Sequence, residues 1–152
     1  FNFRTAHRAS LRKNNIALDL HLASSLPKVS ANFNQLQQVL LNLLTNARDA
    51  LTQGSSQNLK AQVVIGTWPA EGHRGVRLCV TDNGPAIQKE HLSRLFDPFF
   101  TTKPSGTGLG LSVSYGIIKE HNGDLRVGND GESRGCGTCF MVSLPSLNGV
   151  KP

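Results

Sequence analysis

At 152 residues with a formal charge of +6, the chain is long enough for one domain with a sizeable core. Its 16 Lys and Arg are scattered and not massed in one block, so composition favours plain solubility over nucleic-acid binding. Three cysteines are an odd number that makes no disulfide framework, and no apolar run approaches the roughly 20 residues of a membrane span. The expectation is a cytoplasmic domain without membrane contact of its own. Because the first residue is Phe1 and not Met, the chain is expected to be a piece of something longer, with any membrane segment outside it.

Residues 1–13 place Phe3, Ala6 or His7, and Ser10 or Leu11 at helical spacing, and Asn14 and Asn15 supply a stop because Asn tolerates the left-handed conformation. Ile16, Leu18, Leu20 and Leu22 alternate with other residues, the period of a half-buried strand, and 28–31 reads as a second, very short one. Phe33, Leu36, Val39, Leu40, Leu43, Leu44, Ala47 and Leu51 then form an apolar stripe across about five helical turns. This long amphipathic helix carries Asn42, Asn46 and Asp49 on a common face. A solvated face explains such a row at least as often as a ligand site does.

Residues 53–60 read as a loop, and 61–68 and 76–82 as an antiparallel hairpin joined through 69–75. A short helix is predicted over 88–95, and 97–107, with Pro98 and Pro104, is an irregular, mobile segment. A second strong helix spans 109–121, with Leu111, Val113 or Ser114, Ile117 and Ile118 inward and Asn122, Gly123 as its stop. A strand pair over 125–127 and 138–144 ends the domain. The predicted organisation is a leading helix over 1–15, a main unit over 16–145 and a tail over 146–152. Gly106, Gly108 and Gly110 precede the second helix, where glycines let backbone approach a ligand and the helix start favours an anion, phosphate above all.

Five motifs in order give a more specific reading. They are QLQQVLLNLLTNARDAL at 35–51, VTDNGPAI at 80–87, LFDPFFTTK at 95–103, GTGLGLS at 106–112 and GCGTCFMVSLP at 135–145. The chain resembles the catalytic ATP-binding domain of sensor histidine kinases, within the superfamily that includes gyrase and heat-shock chaperone ATPases. Its wording is most similar to the nitrogen-regulation and dicarboxylate-sensing branch. The resemblance implies a two-layer α/β sandwich, a mixed sheet of about five strands with helices on one face, that binds ATP and Mg2+. It implies that Asn46 binds the magnesium, that Asn42 faces the phosphates one turn earlier, and that Asp82 accepts a hydrogen bond from the adenine amine. Gly84 would let the backbone reach the base, and Thr138 would close the back of the pocket. Lys103 belongs to a lid over 96–107, and Gly106, Thr107, Gly108, Leu109, Gly110 and Leu111 would meet phosphate, with Asp49 beside them. The catalytic set implied is Asn42, Asn46 and Lys103.

Two departures stand out. Ala86 occupies the place of the family's second glycine, adding a methyl group near the base, and Asn34 replaces an aspartate near the helix start, where it caps about as well. In the hydrolytic relatives the position of Asn42 is a glutamate that activates water; an amide is no base at neutral pH, which favours phosphoryl transfer over hydrolysis. None of His7, His21, His73, His91 or His121 has the neighbours of the family's acceptor histidine, so the acceptor is expected on a separate dimerisation domain, with a response regulator downstream. This fragment is expected to be a monomer. The rivals are a degenerate, non-catalytic module, for which Ala86 speaks, and a free-standing ATPase. Cys136 and Cys139 lack a second pair for zinc, Trp68 and Tyr115 read as packing residues, and Phe96, Phe99 and Phe100 as core or as a docking surface for the missing domain.

Overall fold

The computed structural model describes residues 3–53, 60–129 and 137–147. Helix α1 (Phe3–Lys13) leads into strand β1 (Ala17–Leu22), with Asn15 taking the left-handed φ of 55° that ends the helix. Helix α2 (Phe33–Gln53) follows, then β2 (Gln62–Pro69) and β3 (Gly75–Asp82), separated by a 3-10 turn at Glu71–His73. A single turn α3 (Lys89–Leu92), helix α4 (Gly110–Glu120) and strands β4 (Asp124–Asn129) and β5 (Thr138–Pro145) complete the order.

The five strands form one sheet in the order β1-β2-β3-β5-β4. Parallel pairing of β1 with β2 requires a crossover, and α2 supplies it; the other three pairings are antiparallel. The apolar stripe of α2 lies on the sheet: Val39, Leu43, Leu44 and Ala47 are buried with Val63, Ile65, Val80, Phe140 and Val142. Leu43 and Ile118 of α4 are both at 0% exposure, so the two long helices meet the sheet in one core. This is the expected mixed sandwich.

Several boundaries differ from expectation. Asn32, not Asn34, caps α2: its Oδ1 accepts the Gln35 N–H at 3.1 Å, leaving Asn34 within the first turn. Residues 28–31 form no strand; the run is tied instead by a backbone bond from the Leu147 N–H to the Lys28 carbonyl. Helix α3 stops at Leu92, since the chain turns there and carries Phe96 onto Tyr115, ring centroids 5.1 Å apart. Ser114, not Val113, is the inward residue of α4, because its hydroxyl donates to the Gly110 carbonyl at 2.8 Å and so can be buried; Val113 stays 46% exposed. The start of the expected tail is docked, with Ser146 buried and its N–H bonded to the Arg74 carbonyl. The loop at 54–59, Cys136 and the tail beyond 147 lie outside the described residues.

Candidate functional site

A cavity of about 730 Å3 opens between α2, the end of the sheet at Asp82 and the segment from 85 to 108. It gathers Asn42, Asn46, Asp49, Asp82, Ala86, Lys103, Gly106, Thr107, Gly108, Gly110, Leu111 and Thr138 of the expected set along its walls. Gly84 and Leu109 do not line it. Gly84 acts from behind, and Leu109 is 38% exposed at the start of α4.

At one end Asp82 terminates β3 at 4% exposure. Its Oδ1 accepts the Gly84 N–H at 2.9 Å, and the Thr138 N–H is a further partner. Burial pushes the carboxyl up to about 6 from the ordinary 3.8, against those two backbone donors. Gly137 must lack a side chain here, since a β-carbon would collide with the Asp82 carbonyl oxygen. Ala86 sits exposed beside it and is not among the positive-φ residues, so its backbone accepts a β-carbon without strain.

At the other end the polar face of α2 meets Lys103. The ammonium donates to Asn46 Oδ1 at 2.9 Å and to Asp49 Oδ2 at 2.8 Å. Arg48 grips the other oxygen, its Nη2 lying 2.9 Å from Asp49 Oδ1, and its Nη1 reaches Ser10 of α1 at 3.4 Å. Burial acts to raise the Asp49 carboxyl, yet the hydrogen bonds and charges of Lys103 and Arg48 hold it below its ordinary value. Asn42 is turned toward α4: its Nδ2 donates to the Gly110 carbonyl and to Ser114 Oγ, both at 3.0 Å. A carboxylate there would confront the carbonyl with a second acceptor.

The segment over the cavity is held by a few local bonds. Phe99 and Gly108 both have left-handed φ, 65° and 70°, and the Phe99 N–H donates to the Gly108 carbonyl at 2.9 Å. A β-carbon on Gly108 would strike the Phe99 backbone. Thr101 Oγ1 accepts the Lys103 N–H at 3.0 Å and the Lys103 carbonyl accepts the Gly106 N–H at 3.2 Å, so the lysine is fixed on both sides. Phe96 is partly buried against the core, whereas Phe99 is 75% exposed.

Sequence reasoning missed Thr45, Arg48, His91 and Leu95 as lining residues. The first two share the polar side of α2, and helical periodicity from Asn42 would have found them. Phe100, read as core, docking surface or part of the lid over 96–107, lies under the Arg94 guanidinium at 4.6 Å and near the His91 ring at 5.6 Å. No local signal marks the rest of that wall.

The domain is thus a mixed sheet backed by helices, with an acid at one end of a polar cavity and an amide–carboxylate pair at the other. Residues 31–148 match the family described as "Histidine kinase-, DNA gyrase B-, and HSP90-like ATPase", and the chain belongs to it. Among curated relatives, sensor histidine kinase ZraS of Escherichia coli (strain K12) is 39% identical over 121 residues, covering 80% of this chain and 24% of that protein. The chain spans between 17% and 24% of the length of the first curated relatives it matches. Among solved structures, the catalytic domain of histidine kinase ThkA aligns with a TM-score of 0.78 at 30% identity, covering 94% of this chain and 88% of that one. ThkA in complex with response regulator protein TrrA aligns with a TM-score of 0.75 at 28% identity, covering 97% and 39%. Within its family the chain is therefore a catalytic domain of the sensor histidine kinase type. Among the described residues no helix is long and apolar enough to cross a membrane.

Proposed function

We propose that this domain binds Mg-ATP in the cavity and donates the γ-phosphoryl group to a histidine on a helical dimerisation domain outside the chain. The observation that carries the reading is the separation of roles along one cavity: a buried acceptor, Asp82, at one end and Asn46, Asp49 and Lys103 at the other. Adenine presents an amine donor to Asp82, whereas guanine would present a carbonyl and leave two acceptors facing each other. Thr138 and Gly84 hold the carboxylate for that contact. The backbone at Gly106 and Gly108, ahead of α4, and at Gly110, its first residue, meets the phosphates.

Asn46 and Asp49 offer hard oxygen donors one helical turn apart, and both already converge on a cation, which fits magnesium. When bound, the ion neutralises charge on the phosphates; the chain's own residues do the positioning. Asn42 acts as a donor and not as a base, which suits transfer better than hydrolysis. The phosphorylated histidine then serves a response regulator, as expected of a sensor kinase in a two-component pathway.

Calorimetric titration with a non-hydrolysable ATP analogue and Mg2+, with GTP and Asp82→Asn as controls, tests the binding half. Adenine-specific binding lost in the variant is the expected result; a folded domain that binds neither nucleotide would refute it. Phosphate transfer from labelled ATP to an added dimerisation domain tests the other half.

A further inference from the structure

Lys103 reaches across 57 residues of sequence to the polar face of α2 and places its ammonium on Asn46 Oδ1 and Asp49 Oδ2 together, at 2.9 and 2.8 Å. Two of its three N–H donors are engaged on the very oxygens that suit a divalent ion. The position is not accidental droop of a long side chain, because its backbone is pinned through Thr101 and Gly106 and the side chain is only 26% exposed. Asp49 is held on both oxygens, Arg48 on one and Lys103 on the other. The local formal charge is thus +1: two cations against one carboxylate.

We propose that Asn46 and Asp49 form a divalent-cation site which Lys103 occupies in the nucleotide-free domain, so that nucleotide entry is an exchange of one cation for another. This rests on the Mg-ATP reading of the cavity and adds its order of events. A bare divalent ion approaching a site of net +1 is repelled and finds its two oxygens taken. A nucleotide triphosphate changes both terms: its negative charge admits the metal, and its phosphate oxygens give the displaced ammonium a new partner. The metal therefore loads with the nucleotide and not ahead of it. Asp49 becomes a metal-binding residue in its own right, beside the asparagine, and Lys103 a guard that keeps the empty site from collecting ions.

The test uses Mn2+ as a paramagnetic probe, titrated into the 152-residue chain without nucleotide and followed by electron spin resonance. Native protein is expected to bind Mn2+ at least about tenfold more weakly than Lys103→Met, and Lys103→Met combined with Asp49→Asn is expected to lose that gain. Equal affinities in native and Lys103→Met, or a gain that survives Asp49→Asn, would overturn the proposal. A second measurement leaves the lysine itself in place: amine-acylation of Lys103, read by mass spectrometry, is expected to quicken severalfold when Asp49 is changed to Asn. An unchanged acylation rate would count against the guard. A parallel titration with an ATP analogue separates the two readings. Analogue binding with equal metal affinities overturns only the exchange, while no analogue binding by the native chain overturns the nucleotide reading with it.

Discussion

Replacing Asp82 with asparagine should flatten the pH dependence of stability between about pH 4 and 7. The carboxyl is buried at the end of β3 and sits at about 6 in the folded chain against an ordinary 3.8. The folded state therefore holds this proton more tightly than the unfolded state does. Its contribution is fully present below 3.8 and is lost as pH rises through about 6. The gap corresponds to a cost on the order of 3 kcal/mol for keeping the group ionised at neutral pH. The amide of the variant would carry no such cost and would keep an oxygen for the Gly84 N–H. Asp49 and Asp124, both lowered, titrate below 3.8 and leave this window clear. Urea denaturation of native and variant protein at half-unit steps gives the difference in stability. That difference should swing toward the variant by about 2.5 kcal/mol between pH 4 and 7; a difference independent of pH would refute the reasoning. On the Mg-ATP reading the same ionisation tunes nucleotide affinity, because the charged carboxylate is a stronger acceptor for the adenine amine than the neutral acid. Analogue binding should weaken as pH falls below about 6, and binding that holds steady down to about pH 4.5 would remove Asp82 from the base pocket.

Three further substitutions probe the frame around the site. Gly137→Ala drives a β-carbon into the Asp82 carbonyl oxygen and should cost about 3 kcal/mol in chemical denaturation, with analogue binding reduced in step. Asn42→Glu removes the donor to the Gly110 carbonyl and should cost about 2 kcal/mol; stability equal to native would show that the tie between α2 and α4 contributes nothing. Ala86→Gly should change analogue affinity less than about threefold in calorimetry, because the residue is exposed and its backbone needs no glycine. A gain beyond about tenfold would mean that the methyl group crowds the base after all.

The parts of this molecule that were legible in its sequence are those where one periodicity dominates. The stripe from Phe33 to Leu51 gave α2 within two residues, and alternation at 16–22 marked β1, although within that strand only Leu18 is partly buried while Leu20 and Leu22 stay exposed because β1 is an edge strand. Legibility was incomplete where a polar residue is buried through a hydrogen bond, as with Ser114, which the pattern left level with Val113, and it failed where a turn interrupts a helical pattern, as after Leu92. It failed again at the cap, where Asn32 and Asn34 are equally good residue types and only the start of the apolar stripe at Phe33 separates them. The site motifs put twelve of fourteen residues on the cavity wall, while Gly84 and Leu109 support it from behind or beside. Of the wall of His91, Leu95 and Phe100, only Phe100 fell within the expected lid, because the rest is assembled by the path of an irregular segment, which no repeat encodes.

What no motif reveals is the resting wiring. Asn42 is tied to α4, Asn46 and Asp49 to Lys103, and Asp82 to Gly84, so these four polar groups proposed to meet Mg-ATP already have partners within the domain. Binding then replaces hydrogen bonds and ion pairs more than it adds them, and each contact contributes only the difference between its new partner and its old one. On that reading Asp82 would keep its backbone donors and gain the base, so its contribution to affinity would be nearly undiminished. Asn46 and Asp49 must give up an ammonium before they can hold a metal. On the proposed reading, selectivity for adenine falls to the Asp82 end of the cavity, and the timing of metal and phosphate to the end that has to exchange partners.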